Sequence, residues 1–512
     1  MILKNTKENS VTHFPPVNWD PDALFCADLP TVPKPKLGKI LVTGASGYVG
    51  GRLVPELLAR GYRVVLLVRG TPEVYQERWP GVEVLVGDIL MSDTLKNIFK
   101  DVHTAYYLIH SLRLGTEKYE AADIQAAVNF RNAAEEQGLN RIIYLGGLGD
   151  TIKSESDHLK NRIAVATELS AGCIPVSFLR AAIIIGSGSA SYEIIRHLIS
   201  RMPILLIPHW TQNRCQPIGV RDVIKYLVGT LECEETAGGS FDIGGPDILT
   251  YEEMLKTFAE VINKKVLFWR TPLRDIRLYS YFASLITPVP AQITRPLIEG
   301  LKDEVICREN EIRKYVPFEP LSYRESILRA LTREEQDKVY TRWSDAYPPA
   351  QELAIKLNEL EHEPRYTSFY ELVSEKEASA LFQSVKQIGG KTGWFNNNWM
   401  WRARGSMDRL IFGVGTARGR KSLSTLAVND VIDFWRVEDI QVNRRVLLRA
   451  EMKLPGKAWL EFTIEDASDF RTLAVKAHFF TKSRFGKFYW YLFLPFHSLI
   501  FKGLIEQIEK RS

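Results

Sequence analysis

Residues Gly38–Leu53, GKILVTGASGYVGGRL, constrain this chain more than any other stretch. The apolar run Ile40-Leu41-Val42 leads into Gly44-Ala45-Ser46-Gly47-Tyr48-Val49-Gly50 and then into an amphipathic helical pattern. Strand, glycine turn and helix in that order make the opening unit of a parallel α/β sheet. Gly44 permits the tight turn, Gly47 lets backbone approach a pyrophosphate, and Gly50 lets the helix pack closely on the strand. The helix N-terminus then presents N–H groups and a positive dipole end to phosphate. The spacing predicts a dinucleotide cradle formed by Gly44, Ser46, Gly47, Tyr48, Val49 and Gly50.

The next strand, Tyr62–Val68, ends at Arg69. That is about 20 residues beyond the glycine turn, where the ribose-reading residue falls. A carboxylate there would serve NAD and repel a 2′-phosphate, whereas a guanidinium binds that phosphate bidentately. NADP is therefore favoured over NAD. Gly87-Asp88 follows the third strand and His110-Ser111 the fourth, at strand ends where such sheets bind ligands. Asp88 and Ile89 are expected to border adenine, and His110 to lie on the nicotinamide side.

Short apolar runs alternate with helical segments from Lys39 onward. Strands fit Ile40–Thr43, Arg63–Val68, Val82–Val86, Ala105–Ile109, Arg141–Leu145 and Val176–Ile185, and a helix fits Tyr119–Gln137. The alternation predicts a doubly wound, Rossmann-type parallel sheet over residues 38–325, preceded by a Pro-punctuated tail, 1–37. Residues 326–365 are charged and broken by Tyr347-Pro348-Pro349, so they read as a linker. Residues 366–512 hold six of the eleven tryptophans and strand-like alternation, for instance across Val431–Glu438. They predict an antiparallel sheet clasped by amphipathic segments at Glu371–Ile388 and Tyr489–Glu509. The tryptophans are either core or the walls of a cavity for a flat or isoprenoid-like ligand.

With 66 basic and 61 acidic residues the net charge is only +5, which gives no reason to expect a nucleic-acid partner. Five cysteines without a CxxC spacing suggest reduced thiols, a cytoplasmic setting and no metal site. The N-terminal residues lack the apolar core of a signal peptide. The apolar run Phe488–Phe501 is too short to span a bilayer and reads as a core helix, with an interfacial membrane contact as the alternative.

GASGYVG, Arg69, Gly87-Asp88 and YLGGLG at Tyr144–Gly149 together resemble the short-chain dehydrogenase/reductase superfamily in its atypical or extended, NmrA/epimerase-like branch. Arg180–Leu198 and Gln216–Val223 resemble NAD(P)-binding members fused to a C-terminal domain of unknown function. Phe434–Asp439 and Leu447–Phe462 resemble the polyketide-cyclase/START-like helix-grip group. The first resemblance implies a Ser, a Tyr and a Lys four residues after the Tyr as catalytic groups. Here Gly146-Gly147 occupies the Ser region, and the best register places His158 at the Tyr position and Arg162 at the Lys position. His158 could act as general acid or base, and Arg162 could hold the nicotinamide ribose. Three functions are thus open. One is an NADP-dependent oxidoreductase on a small apolar carbonyl or alkene; another is a non-catalytic NADP-binding sensor or scaffold. A lipid or quinone carrier is the third.

Overall fold

The computed structural model describes residues 24–512 apart from 70–71, 110–115, 150–155, 273–274, 336–340, 347–356, 358–359, 361, 363, 391, 412, 421–425 and 467–469. Seven parallel strands form the first sheet. They are β1 (Lys39–Thr43), β2 (Arg63–Val68), β3 (Glu83–Val86), β4 (Val102–Tyr107), β5 (Arg141–Gly147), β6 (Val176–Ala181) and β7 (Ser240–Ile243). Their spatial order is β7-β6-β5-β4-β1-β2-β3, so the chain reverses direction across the sheet between β1 and β4.

Burial explains why β1 reads as an unbroken apolar run. Ile40, Leu41 and Val42 are all fully buried because helices cover both faces. Ile40 and Val42 pack with Leu53 and Leu57 of α1 (Gly50–Ala59), whereas Leu41 meets Phe130 of α2 (Thr116–Glu136) and Val165 of α3 (Asp157–Ser170). β4 begins and ends earlier than its expected span. Lys39 N bonds Asp101 O, and Leu108 has already left the strand to meet the glycine turn. The sixth run breaks at Ala181, and Ile184–Ile185 pairs instead with Ile218–Gly219. That pair leads into α4 (Val220–Glu232). Phe25, Cys26 and Leu29 are buried, with Phe25 N and Cys26 N bonding the Glu56 carboxylate.

The second sheet is antiparallel and has six strands: β8 (Tyr366–Ser374), β9 (Val431–Ile432), β10 (Trp435–Gln441), β11 (Arg445–Ala450), β12 (Lys457–Asp466) and β13 (Arg471–Phe480). Its order is β8-β13-β12-β11-β10-β9, so the first strand closes against the last. Trp435, Leu448, Leu460 and Ala477 share the inner face, and Arg436, Arg449, Trp459 and His478 the other. The expected continuous strand Val431–Glu438 is interrupted, because Asp433 takes φ of 54° and turns the chain. Its carboxylate accepts from Trp394 Nε1 at 2.8 Å and Gly390 N at 3.3 Å, which fixes the turn. On the amino-terminal side, residues Glu371–Ser374 belong to β8, and a helix follows over Ala378–Lys386.

The apolar run near the C-terminus departs most from expectation. α5 (Asn398–Leu410) and α6 (Arg484–His497) flank the inner side of the sheet, and α6 continues through a π-helical turn at Ser498–Lys502 into Gly503–Arg511. α6 is not a core helix. Gly486 and Trp490 are buried, but Phe485, Phe488, Tyr491, Leu492 and Phe496 are exposed.

Glu461 on β12 links neighbouring strands, bonding Arg445 Nε at 2.6 Å and His478 Nε2 at 2.9 Å. The bond from His478, with the Arg445 charge and against the effect of burial, holds its carboxyl down at about 2. A folded-state value below the unfolded one stabilises above the unfolded value and is lost as pH falls through the folded one. Glu461→Gln is expected to lower the unfolding free energy by on the order of 2 kcal/mol at pH 6. Urea titrations of both proteins should show that gap narrowing steadily below about pH 4.5. A gap independent of pH would show that it does not come from the Glu461 charge.

Candidate functional site

The glycine turn lies at the β1/β4 switch point, the crevice where open α/β sheets place ligands. Thr43 Oγ1 donates to Tyr106 O at 2.8 Å and accepts from Leu108 N at 3.1 Å, stitching the two strand ends together. Gly44 has φ of 69°, and a Cβ there would stand 2.7 Å from Leu108 O. At Gly50 a Cβ would stand 2.3 Å from Gly44 O. Both positions need glycine for the backbone to close up. Around Gly47 only the turn's own Gly44 O lies within 4 Å of a Cβ position, which leaves room for a pyrophosphate. The Tyr48 ring turns inward beneath Gly186 and over Arg52, whose guanidinium carbon is 4.2 Å from the ring centroid. Only the main chain of Tyr48 therefore remains at the turn, beside Val49, the residue that precedes α1.

Arg69 is exposed immediately after β2. Next to it, the short helix Pro72–Arg78 brings in Tyr75. Burial raises the Tyr75 phenol, while a bond with Ser46 and the guanidiniums of Arg78, Arg69 and Arg436 pull it back. Arg78, Arg69 and Arg436 are thus within electrostatic reach of Tyr75, although Arg436 is itself paired with Glu451. Asp88 shapes its own loop: Oδ1 accepts from Leu90 N at 3.0 Å, while Thr94 Oγ1 accepts from Asp88 N at 2.9 Å. Ile89 is buried, and its carbonyl accepts from Asn129 at 2.9 Å.

His110 lies outside the described residues. His158 stands in the first turn of α3, and its side chain is likewise outside them. Arg162, one turn later, donates from Nη2 to Leu145 O at 3.0 Å. Its own carbonyl accepts from the Tyr144 hydroxyl at 3.2 Å. Gly146 and Gly147 are the last residues of β5, and a Cβ at Gly147 would meet Leu159 at 2.8 Å. Leu159 thus fills the space beside the position where a serine was expected. Tyr144 is fully buried and stacks on Phe178, so it does not face the crevice.

The sequence model of the NmrA-like family matches residues 36–299, just over half the chain. The chain belongs to the NmrA-like family. A second model, described as a protein of unknown function (DUF2867), matches residues 361–504. The chain is 24% identical over 237 residues to subunit 9 of the NADH dehydrogenase [ubiquinone] 1 alpha subcomplex of Arabidopsis thaliana. The match covers 44% of this chain and 58% of that one. It is 21% identical to the divinyl chlorophyllide a 8-vinyl-reductase of Cucumis sativus, over 47% of this chain and 60% of the relative. The chain thus spans about three-fifths of the length of these relatives. Among solved structures, the Citrobacter sp. triphenylmethane reductase complexed with NADP(H) is similar over 57% of this chain and 99% of its own. That pair has 20% identity and a TM-score of 0.48.

Sequence patterns did not reveal how the second region reaches the NmrA-like site. A strap, residues 341–346, runs between them. Thr341 Oγ1 donates to Tyr48 O at 3.0 Å, Arg52 Nη1 donates to Thr341 O at 3.1 Å, and Trp343 N donates to Gly188 O at 2.8 Å. From the other side, Arg436 Nη2 donates to Ser344 O at 2.8 Å. Arg436 belongs to a buried cluster in which Glu451 pairs with Arg436 Nε at 2.5 Å and with Arg418 Nη1 at 2.7 Å. Arg52 offered one visible signal. A cation in the first turn of a helix opposes the dipole, so it needs carbonyl partners, which here are Thr341 and Ser187.

Between the inner face of the second sheet, α5 and α6 lies a cavity of about 250 Å³. Trp401, Trp435, Trp490, Phe434, Phe479 and Phe493 are among its walls. The indole nitrogens of Trp401 and Trp435 are buried without a hydrogen-bond partner. His497, also on the wall, is pushed down to about 4 by burial and so is neutral at pH 7.

Proposed function

We propose that this chain is an NADP-dependent oxidoreductase of the atypical short-chain type, acting on a small apolar carbonyl or alkene. The observation that carries this reading is the glycine turn at the switch point, with Arg69 exposed at the end of the neighbouring strand β2. In this reading Gly44, Ser46, Gly47, Val49, Gly50 and the Tyr48 main chain hold the pyrophosphate. Arg69 reads the 2′-phosphate, while Asp88 and Ile89 border adenine. Bound NADPH supplies hydride, leaving the protein to orient the substrate and provide one proton route. His158 is the proton donor, and Arg162, anchored on Leu145 O, holds the nicotinamide ribose. The DUF2867 region is read as a helix-grip fold whose cavity holds the apolar substrate or a related ligand.

A second reading has its own support. Leu159 fills the space at Gly147, and Arg162 is engaged with backbone, which suits a non-catalytic NADP-binding sensor or scaffold. Nucleotide titration followed by turnover separates the two. Wild type is expected to bind NADPH at least tenfold more tightly than NADH, and Arg69→Glu to lose that preference. Equal affinity for both nucleotides, or none, would sink the NADP reading. Oxidation of NADPH with apolar enones, abolished in His158→Ala, would favour the enzyme over the sensor.

A further inference from the structure

A surface helix ordinarily turns polar residues to water, and a helix apolar on every side is buried in protein or in lipid. α6 breaks that pattern for four turns. Phe485, Phe488, Tyr491, Leu492, Phe496 and Leu499 are 44–67% exposed, although the opposite face is packed through Trp490 and Phe501. From Lys502 onward ordinary amphipathicity returns, with Lys502, Glu506 and Lys510 outward and Leu504, Ile505 and Ile508 buried. The apolar surface extends to the neighbouring α5, where Trp399, Met407 and Leu410 are exposed. The two helices are joined at one end, where Asn397 Nδ2 donates to Leu499 O at 3.2 Å.

Charge identifies what would cover this face. From Lys482 to Lys502 the chain carries Lys482, Arg484, Lys487 and Lys502 and no carboxylate. Arg402 is exposed on α5. An apolar, aromatic-rich face rimmed by cations fits the interface of an anionic bilayer, where rings sit at headgroup level and basic side chains meet phosphate. One helix, Arg484–Arg511, is long and apolar enough to cross a membrane among the described residues, but its inner face is already packed on the sheet domain. It can therefore lie on a bilayer and not through it. α5 and α6 also form two walls of the 250 Å³ cavity.

We infer that the α5/α6 face docks on the surface of an anionic phospholipid bilayer and sets the cavity against the lipid. This inference does not depend on the cofactor reading. Co-sedimentation of the full chain with vesicles of phosphatidylcholine alone, and with 30% phosphatidylglycerol added, tests it. The wild type is expected to sediment with the anionic vesicles and to be released as salt is raised. Phe488→Asp combined with Leu492→Asp, both at exposed sites, should weaken binding at least tenfold while leaving the circular dichroism spectrum unchanged. A second variant, Arg484→Gln with Lys487→Gln, should lose the preference for anionic vesicles and keeps the test open if the first fails to fold. Absence of wild-type sedimentation, or sedimentation that neither variant weakens, would overturn the inference. So would a dimer that Phe488→Asp dissociates without any lipid binding, since the face would then be covered by a second copy.

Discussion

Glu451→Gln is expected to destabilise this protein more than any other single change considered, by about 3–5 kcal/mol in urea unfolding followed by tryptophan fluorescence. Glu451 is the shared acceptor of Arg418 and Arg436, and all three side chains are at most 4% exposed. Burial alone would raise its carboxyl, yet Arg436 and Arg418 hold it below the ordinary glutamate value. Removing that charge leaves two guanidiniums in the interior with their main counter-ion gone. Arg436 also reaches the strap through Ser344, so the damage should extend to the glycine turn. A loss below about 1 kcal/mol, the range of an exposed pair, would mean that water reaches the cluster.

Gly50→Ala is expected to weaken nucleotide binding roughly tenfold to hundredfold, equivalent to 1–3 kcal/mol of overpacking at the turn. The added Cβ would stand 2.3 Å from Gly44 O, so α1 must move away from β1 and carry the phosphate-facing turn with it. Gly81→Ala is the control. Gly81 has positive φ, at 81°, but nothing lies within 4 Å of its Cβ position. It should lose only the stability lost to backbone strain, about 1–2 kcal/mol, and keep its affinity. Equal affinity in Gly50→Ala and wild type would show that the turn does not carry the nucleotide.

The first sheet was legible because its order is written locally. Ile40–Val42 and Val64–Val68 are continuous apolar runs because helices bury both faces, and each is followed by its own helix. The glycine turn was equally legible, since its constraints lie within seven residues. Long-range partners were not. Arg418 is a charged residue in a glycine-rich stretch, yet it is interior because Glu451, far along the chain, accepts from it. The alternation in Val431–Glu438 suggests one strand, but Asp433 turns the chain to meet Trp394. α6 illustrates a third cause. Composition records that a segment is apolar and not which side of it meets protein, so a half-packed helix and a core helix look alike.

The second sheet closes by pairing Tyr366 with Phe479 and Ser374 with Arg471, the first strand against the last. A chain emerging from the ribosome therefore holds β8 without its partner while the rest of the sheet is being made. Contacts so distant in sequence form late, because a long loop must be closed before they are made. Until β13 arrives, β12 and β8 are open edges, and the tryptophan-lined interior has no lid from α6. The slow step of biogenesis for this sheet is then set by β13 and α6, which complete it and supply the helix over it.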